Sequence, residues 1–161
     1  MPDKKDLSSR IHTSNIVYFA CHGESSLGDP SNSFLALNDW QMDPFTVVDL
    51  TALDLEEAQF AYLSACHAAM TRASSLMDEV IHLAFPHVIG SLWQIDDFTS
   101  STVAKDVYKV MCRDGRFDTT LAAEGLHFAV RRLRGEPLVG RTTGNSRLDP
   151  LRWSAYIHIG A

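Results

Sequence analysis

The chain has 161 residues, of which 45% are hydrophobic and 21% are charged, and its formal net charge is −6. This length and composition predict one globular domain with its own core. The negative charge argues against a general nucleic-acid binder, and from the sequence we expect neither a membrane span nor a secretory signal. Three cysteines without a framework spacing are typical of a reducing compartment, so we expect a cytoplasmic protein with free thiols.

The amino-terminal half predicts a mixture of strands and short helices. Residues 1–13 are polar, and we expect them to be disordered or a linker remnant. Apolar runs predict strands over 15–20, 34–37 and 60–63, with a turn-rich loop over 24–33 and a possible hairpin strand ending at 45. Thr46 and Asp49 have the spacing of a capping box, which predicts a helix over 46–53.

The carboxyl-terminal half continues the alternation. A helix is predicted to end at Pro86, followed by a strand over 87–93. Asp97 or Thr99 is expected to cap the next helix, which runs to about residue 112, and a further helix follows to about residue 133. The last strand is predicted over 153–159. Strands that alternate with helices indicate an α/β fold, with a mostly parallel sheet covered by helices on both faces.

Two of the predicted strands end in residues with nucleophilic chemistry. The first is followed by Cys21, His22 and Gly23, and the second is followed by Cys66. In an open α/β sheet the ligand site lies outside the carboxyl ends of the strands. Because an imidazole activates a nearby thiol, His22 and Cys66 are a candidate base and nucleophile. The backbone N–H groups of Gly23 and Cys66 are candidate oxyanion donors.

Other interpretations of these residues stay open. Cysteine is often buried, so Cys66 has a purely structural interpretation as well. The pairs Cys21-His22 and Cys66-His67 offer four soft metal ligands, but adjacent strand residues point to opposite faces, so we expect neither a metal nor a cofactor. A disulfide between Cys21 and Cys66 would silence the pair if the geometry allowed it.

Two carboxylates follow the strand over 87–93. Asp96 and Asp97 lie where substrate contacts are expected at the same edge of the sheet. They are therefore candidate substrate-contact residues, with helix capping as the alternative role.

Several short motifs follow one another in a specific order: His22-Gly23, Leu63-Ser-Ala-Cys66, Val88-Ile-Gly-Ser-Leu-Trp93 and Trp153-Ser-Ala-Tyr-Ile-His-Ile-Gly160. Their order and spacing over residues 14–161 resemble the CHAT domain, a family of the caspase-like clan of cysteine peptidases that is related to separases. The likeness points most to fungal members that follow tetratricopeptide arrays. It implies a caspase-like three-layer fold, a protein substrate, and a cysteine endopeptidase with His22 as general base and Cys66 as nucleophile.

A caspase-like sheet begins with two strands before the strand that carries the histidine, whereas only about 13 polar residues precede it here. We therefore expect residues 14–161 to lack the first strands and to form the catalytic half of the domain. The histidine strand is then an exposed edge, and an upstream tetratricopeptide region or a partner chain is expected to complete the sheet and regulate the site. The alternative is a catalytically inactive interaction or signalling module.

Overall fold

The computed structural model describes residues 1–24, 26, 28–64, 81, 84–135 and 150–160. The helices are α1 (Lys4–Ile11), α2 (Val47–Thr51), α3 (Asp97–Met111), α4 (Ala122–Gly135) and α5 (Pro150–Trp153). The strands are β1 (Ile16–Phe19), β2 (His22–Glu24), β3 (Phe34–Ala36), β4 (Phe45–Thr46), β5 (Phe60–Leu63), β6 (His87–Ser91) and β7 (Tyr156–Gly160). In these segments, every helix is too short or too polar to cross a lipid bilayer.

The strands form two sheets. The larger sheet has the order β1-β5-β6-β7, in which β1, β5 and β6 are parallel and β7 is antiparallel to β6. The prediction of a mostly parallel sheet is therefore confirmed. In the described part of this sheet β1 lies at one edge, as predicted for the strand before His22. The smaller sheet is antiparallel and has the order β2-β3-β4.

Both faces of the larger sheet are covered, because successive side chains of a strand point to opposite faces. Phe60 and Tyr62 of β5 pack on one side against α3 and α4, through apolar residues such as Val103 and Leu126. The other face, which includes Leu63, packs against a second cluster whose members come from α1, α2 and the small sheet. This cluster contains Ile11, Leu35, Phe45, Val47 and Leu50. The three layers agree with the predicted α/β fold.

The amino-terminal segment differs from its prediction. Residues 1–13 were expected to be disordered or a linker remnant, but they contain α1, whose N-cap Asp3 accepts a hydrogen bond from the Asp6 N–H. Ile11 is only 1% exposed and Leu7 packs beside it against the core. Two apolar residues one turn apart give a weak periodic signal in sequence, yet they are enough to hold a short helix when a core is available.

Several predicted boundaries also need correction, while one cap is confirmed. Thr46 and Asp49 form the expected capping box of α2. The N-cap of α3 is Asp96, not Asp97 or Thr99, because the Asp96 side chain accepts from the Thr99 N–H. The last strand begins at Tyr156 and not at residue 153, because the chain first makes the helical turn of α5. Most of the helix predicted before Pro86 lies outside the described residues.

Candidate active site

The carboxyl ends of β1 and β5 coincide. The two strands pair in parallel from Ile16 with Phe60 to Phe19 with Leu63. The Ser64 N–H then donates to the Phe19 carbonyl oxygen at 2.9 Å, which extends the pairing by one step. His22 and Cys66 each follow the last paired residue of their strand by three positions. The ends of β1 and β5 therefore lie at the same edge of the sheet.

His22 lies on the small sheet rather than on the large one. After Phe19 the chain leaves β1 and enters β2, where His22 pairs with Ala36 of β3 and Gly23 pairs with Leu35. The His22 side chain is exposed, and Gly23 is partly buried. The strand that was predicted over 15–20 therefore ends at Phe19, and His22, which was expected just after that strand, opens a second one.

The predicted thiol partner of His22 lies outside the described residues. Cys66 falls in the segment 65–80, as does His67. The pairing of His22 with Cys66, and the oxyanion role of the Gly23 and Cys66 N–H groups, stay predictions. The structure describes the ends of the two strands that precede these residues.

The end of β5 is tied to the first turn of α3. The hydroxyl oxygens of Ser64 and Ser100 lie 2.9 Å apart, and Ser100 is buried. This contact joins the residue two positions before Cys66 to the helix that begins with the two candidate carboxylates. The edge of the sheet at this point is therefore built from β1, β5 and the start of α3.

Asp96 has structural partners at this edge. Its carboxylate accepts from the Thr99 N–H at 3.0 Å and from the Thr99 hydroxyl at 2.7 Å, and the Arg152 guanidinium lies 4.0 Å away. Burial disfavours the Asp96 carboxylate, but the hydrogen bonds from Thr99 and the charge of Arg152 outweigh it, so its pKa is lowered. Asp97 lies in the exposed first turn of α3. Substrate contact by either carboxylate stays a prediction.

Cys21 and His22 differ sharply in their surroundings. Cys21 is a free thiol that packs against the core, and burial raises its pKa to about 11, whereas the His22 side chain is exposed. A thiol with this pKa is almost entirely protonated at neutral pH, so Cys21 is a poor nucleophile and a poor metal ligand. Among the described residues no three His, Cys, Asp or Glu side chains lie close enough to hold a metal ion.

A cavity of about 490 Å³ lies beside His22. Its lining residues are His22, Gly23 and Glu24 of β2, Ala36 of β3 and Trp40 of the following turn. Cavities that bind small ligands or side chains are commonly of this size. The one candidate catalytic residue that the structure describes therefore faces a concave space, as a base that acts on a substrate must.

Sequence reasoning missed the other residues of this region. Glu24 follows His22 by two positions, so strand alternation was a signal that the two side chains share a face. Ser64 and Ser100 are far apart in sequence and small, and Trp40 and Arg152 reach the site from loops and a helical turn. Periodicity carries no information on such contacts.

Comparisons with known proteins identify the family of the chain. A protein-family model described as "CHAT domain" matches residues 3–161, which is nearly the whole chain. A search of curated proteins found no significant match.

Proposed function

The chain belongs to the CHAT domain family of the caspase-like peptidase clan, and from this premise we propose that it is a cysteine endopeptidase with a His22–Cys66 dyad. His22 acts as the general base and Cys66 as the nucleophile. The substrate is a protein, and no metal or cofactor takes part in the proposed reaction. A tetratricopeptide region upstream and a cytoplasmic location belong to the same proposal.

The reaction follows from the two side chains. His22 accepts the thiol proton, and the Cys66 sulfur attacks the carbonyl carbon of the scissile peptide bond. The backbone N–H groups of Gly23 and Cys66 donate to the oxyanion that forms. His22 then gives its proton to the leaving amine as the C–N bond breaks, and water hydrolyses the thioester to release the acid and restore the thiol.

The observation that carries the proposal is the register of β1 and β5. The strands are parallel neighbours and end together at Phe19 and Leu63, three residues before His22 and Cys66, and this supports the pairing of the two residues. The exposed ring of His22 and the cavity beside it supply the access that a protein substrate requires. The high pKa of Cys21 supports Cys66 as the nucleophile of this edge.

Regulation by a partner is the second part of the proposal. In the described sheet β1 has one paired neighbour, β5, and its Tyr18 is 41% exposed although the ring stacks on the buried Tyr62 with centroids 5.2 Å apart. An unpaired edge strand is a template for another strand. The same observation favours the alternative function, a catalytically inactive module that binds a partner through this edge.

The test is the alkylation rate of each cysteine against pH, measured by peptide mass spectrometry. In the wild type, Cys66 should label at pH 6.5 at least about tenfold faster than the exposed Cys112, because an activated thiolate forms well below the usual thiol pKa of about 8.5. His22→Ala should remove this advantage. His127→Ala, which changes an exposed histidine on α4, is the matched control and should have no effect.

The dyad would be refuted if Cys66 were alkylated at the same rate as Cys112, or if His22→Ala left the Cys66 alkylation rate unchanged. A survey of new protein amino termini in a proteome treated with wild type or Cys66→Ala then separates the two functions. Cleavage by the wild type alone supports the peptidase. Identical surveys, together with oligomerisation or capture of a strand-forming peptide, support the inactive module, whereas a monomer that binds no such peptide counts against it.

A further inference from the structure

We infer that the cavity beside His22 binds a positively charged side chain of the substrate, held by Glu24 and Trp40 on the leaving-group side of the scissile bond. The inference rests on the proposed peptidase function for the position of the bond. The charge preference itself depends only on lining residues of the cavity that the structure describes.

The small sheet presents these residues on one face. His22 and Glu24 are two positions apart on β2, so their side chains point the same way, and both are exposed. Ala36 stands opposite His22 and Phe34 stands opposite Glu24. The side chain of Ala36 is a single methyl group, so the space above it, beside the His22 and Glu24 side chains, stays open.

Trp40 forms an aromatic wall of the cavity. Its ring stacks on Phe34 with centroids 5.7 Å apart and an angle of 16° between the planes, which fixes its orientation. Trp40 is still 38% exposed and lines the cavity. A tryptophan face attracts cations, and a planar guanidinium also stacks on it.

Glu24 brings the charge. Among the residues that the structure describes, its carboxylate has no ion-pair or hydrogen-bond partner. A carboxylate without a partner at the wall of a cavity is available to a ligand cation. Together with the indole face it makes a site for a lysine or arginine side chain, and arginine is favoured because it pairs with both groups at once.

The position along the substrate follows from the role of His22. Because His22 gives its proton to the leaving amine, it lies on the side of the scissile bond that carries this amine, which is the first product to leave. Glu24, Ala36 and Trp40 line the cavity beside His22, and we assign that cavity to the leaving-group side of the bond. The basic residue is therefore expected one or two positions after the cleaved bond.

The first arm of the test measures binding without catalysis. In Cys66→Ala protein, arginyl-alanine amide is titrated by NMR and compared with citrullyl-alanine amide, which has the same amino terminus but no charged side chain. The arginine probe should shift the amides of Gly23, Glu24 and Ala36 and bind about tenfold more tightly, as one good ion pair gives. Glu24→Gln should remove the difference, and Glu56→Gln, an exposed acid before the opposite end of β5, should not.

The second arm reads the sequences of cleaved proteins. Lysine or arginine should be enriched about threefold or more at the first two positions after the bond, and the enrichment should disappear in Glu24→Gln. Equal binding of the two probes overturns the inference, as does cleavage without this enrichment. Glu24-dependent binding without any Cys66 reactivity supports the cavity and refutes only the peptidase, so the two failures are distinguishable.

Discussion

Asp49 joins the amino-terminal helix to the small sheet, and its removal gives the sharpest stability prediction. Its Oδ2 accepts from the Thr46 N–H at 2.8 Å and from the Thr46 hydroxyl at 2.7 Å. The same oxygen lies 3.0 Å from Lys4 Nζ, which also reaches Asp43 at 2.8 Å. One carboxylate therefore completes the capping box of α2 and pairs with the first residue of α1.

We expect Asp49→Ala to lower the free energy of unfolding by about 2 kcal/mol. Loss of the capping box costs about 1 kcal/mol, and loss of the charge-assisted contact of a mostly buried carboxylate costs about 1 kcal/mol more. For a chain of this size the melting temperature should fall by about 4–8 °C. Asp43→Ala is the matched control, because its side chain is 62% exposed and it shares the same lysine. Its cost should be about 0.5 kcal/mol or less.

Urea denaturation of the wild type, Asp49→Ala and Asp43→Ala measures these costs. Burial opposes ionisation of Asp49, but the hydrogen bonds from Thr46 and Lys4 outweigh it, so the folded pKa lies below the usual 3.8. The stabilisation is therefore present above the usual pKa and is lost as the pH falls through the lower folded pKa. Equal costs for the two variants, or a cost of Asp49→Ala that persists in strong acid, would refute this reasoning.

Three further predictions concern other parts of the molecule. Arg132→Met should lower the free energy of unfolding by about 3 kcal/mol, because the 4% exposed carboxylate of Asp106 then loses the guanidinium that lies 2.7 Å away. Asp106→Asn should cost less, and equal costs in urea denaturation would contradict this prediction. The alkylation rate of Cys21 should still rise about tenfold per pH unit between pH 8 and 10, since its pKa is about 11, and a plateau near pH 9 would contradict it. Gly160→Ala should lower the free energy of unfolding by about 1–3 kcal/mol and therefore the melting temperature. The reason is that Gly160 has φ +153° and that the new Cβ would lie 2.5 Å from the Pro86 carbonyl oxygen. Unchanged thermal unfolding would show that the strand end adjusts freely.

The sequence predicted the large sheet well because its signals are local. Residues 60–63 are all buried, and a short fully apolar run is the pattern of a central parallel strand. The capping box at Thr46 was equally readable, since both partners lie three residues apart. The edge position of β1 was predicted from the family resemblance and not from the residues. The hydrophobic pattern of a strand does not show which strands lie beside it in the sheet.

The candidate site was predicted only in part because its residues meet through topology. His22 was assigned to the end of a strand, whereas it begins one in a second sheet, since a two-residue break between strands looks like continuous extended chain. Glu24 shares its face by simple alternation and was within reach of sequence reasoning. Trp40 was not, because it joins the cavity through its stack on Phe34 across a turn.

The pairing of distant segments in the large sheet has a consequence for how the chain folds. β1 is completed by β5 more than forty residues later, and Ser91 of β6 pairs with Tyr156 of β7. Each pairing closes a long loop before it gains any hydrogen bonds, and sheets of this kind form slowly. The small sheet, α1 and α2 instead come from one continuous segment and close early. His22 would then be in place on its own sheet before β5, the strand that precedes Cys66, has docked, so the order of assembly itself would delay the completion of the proposed dyad.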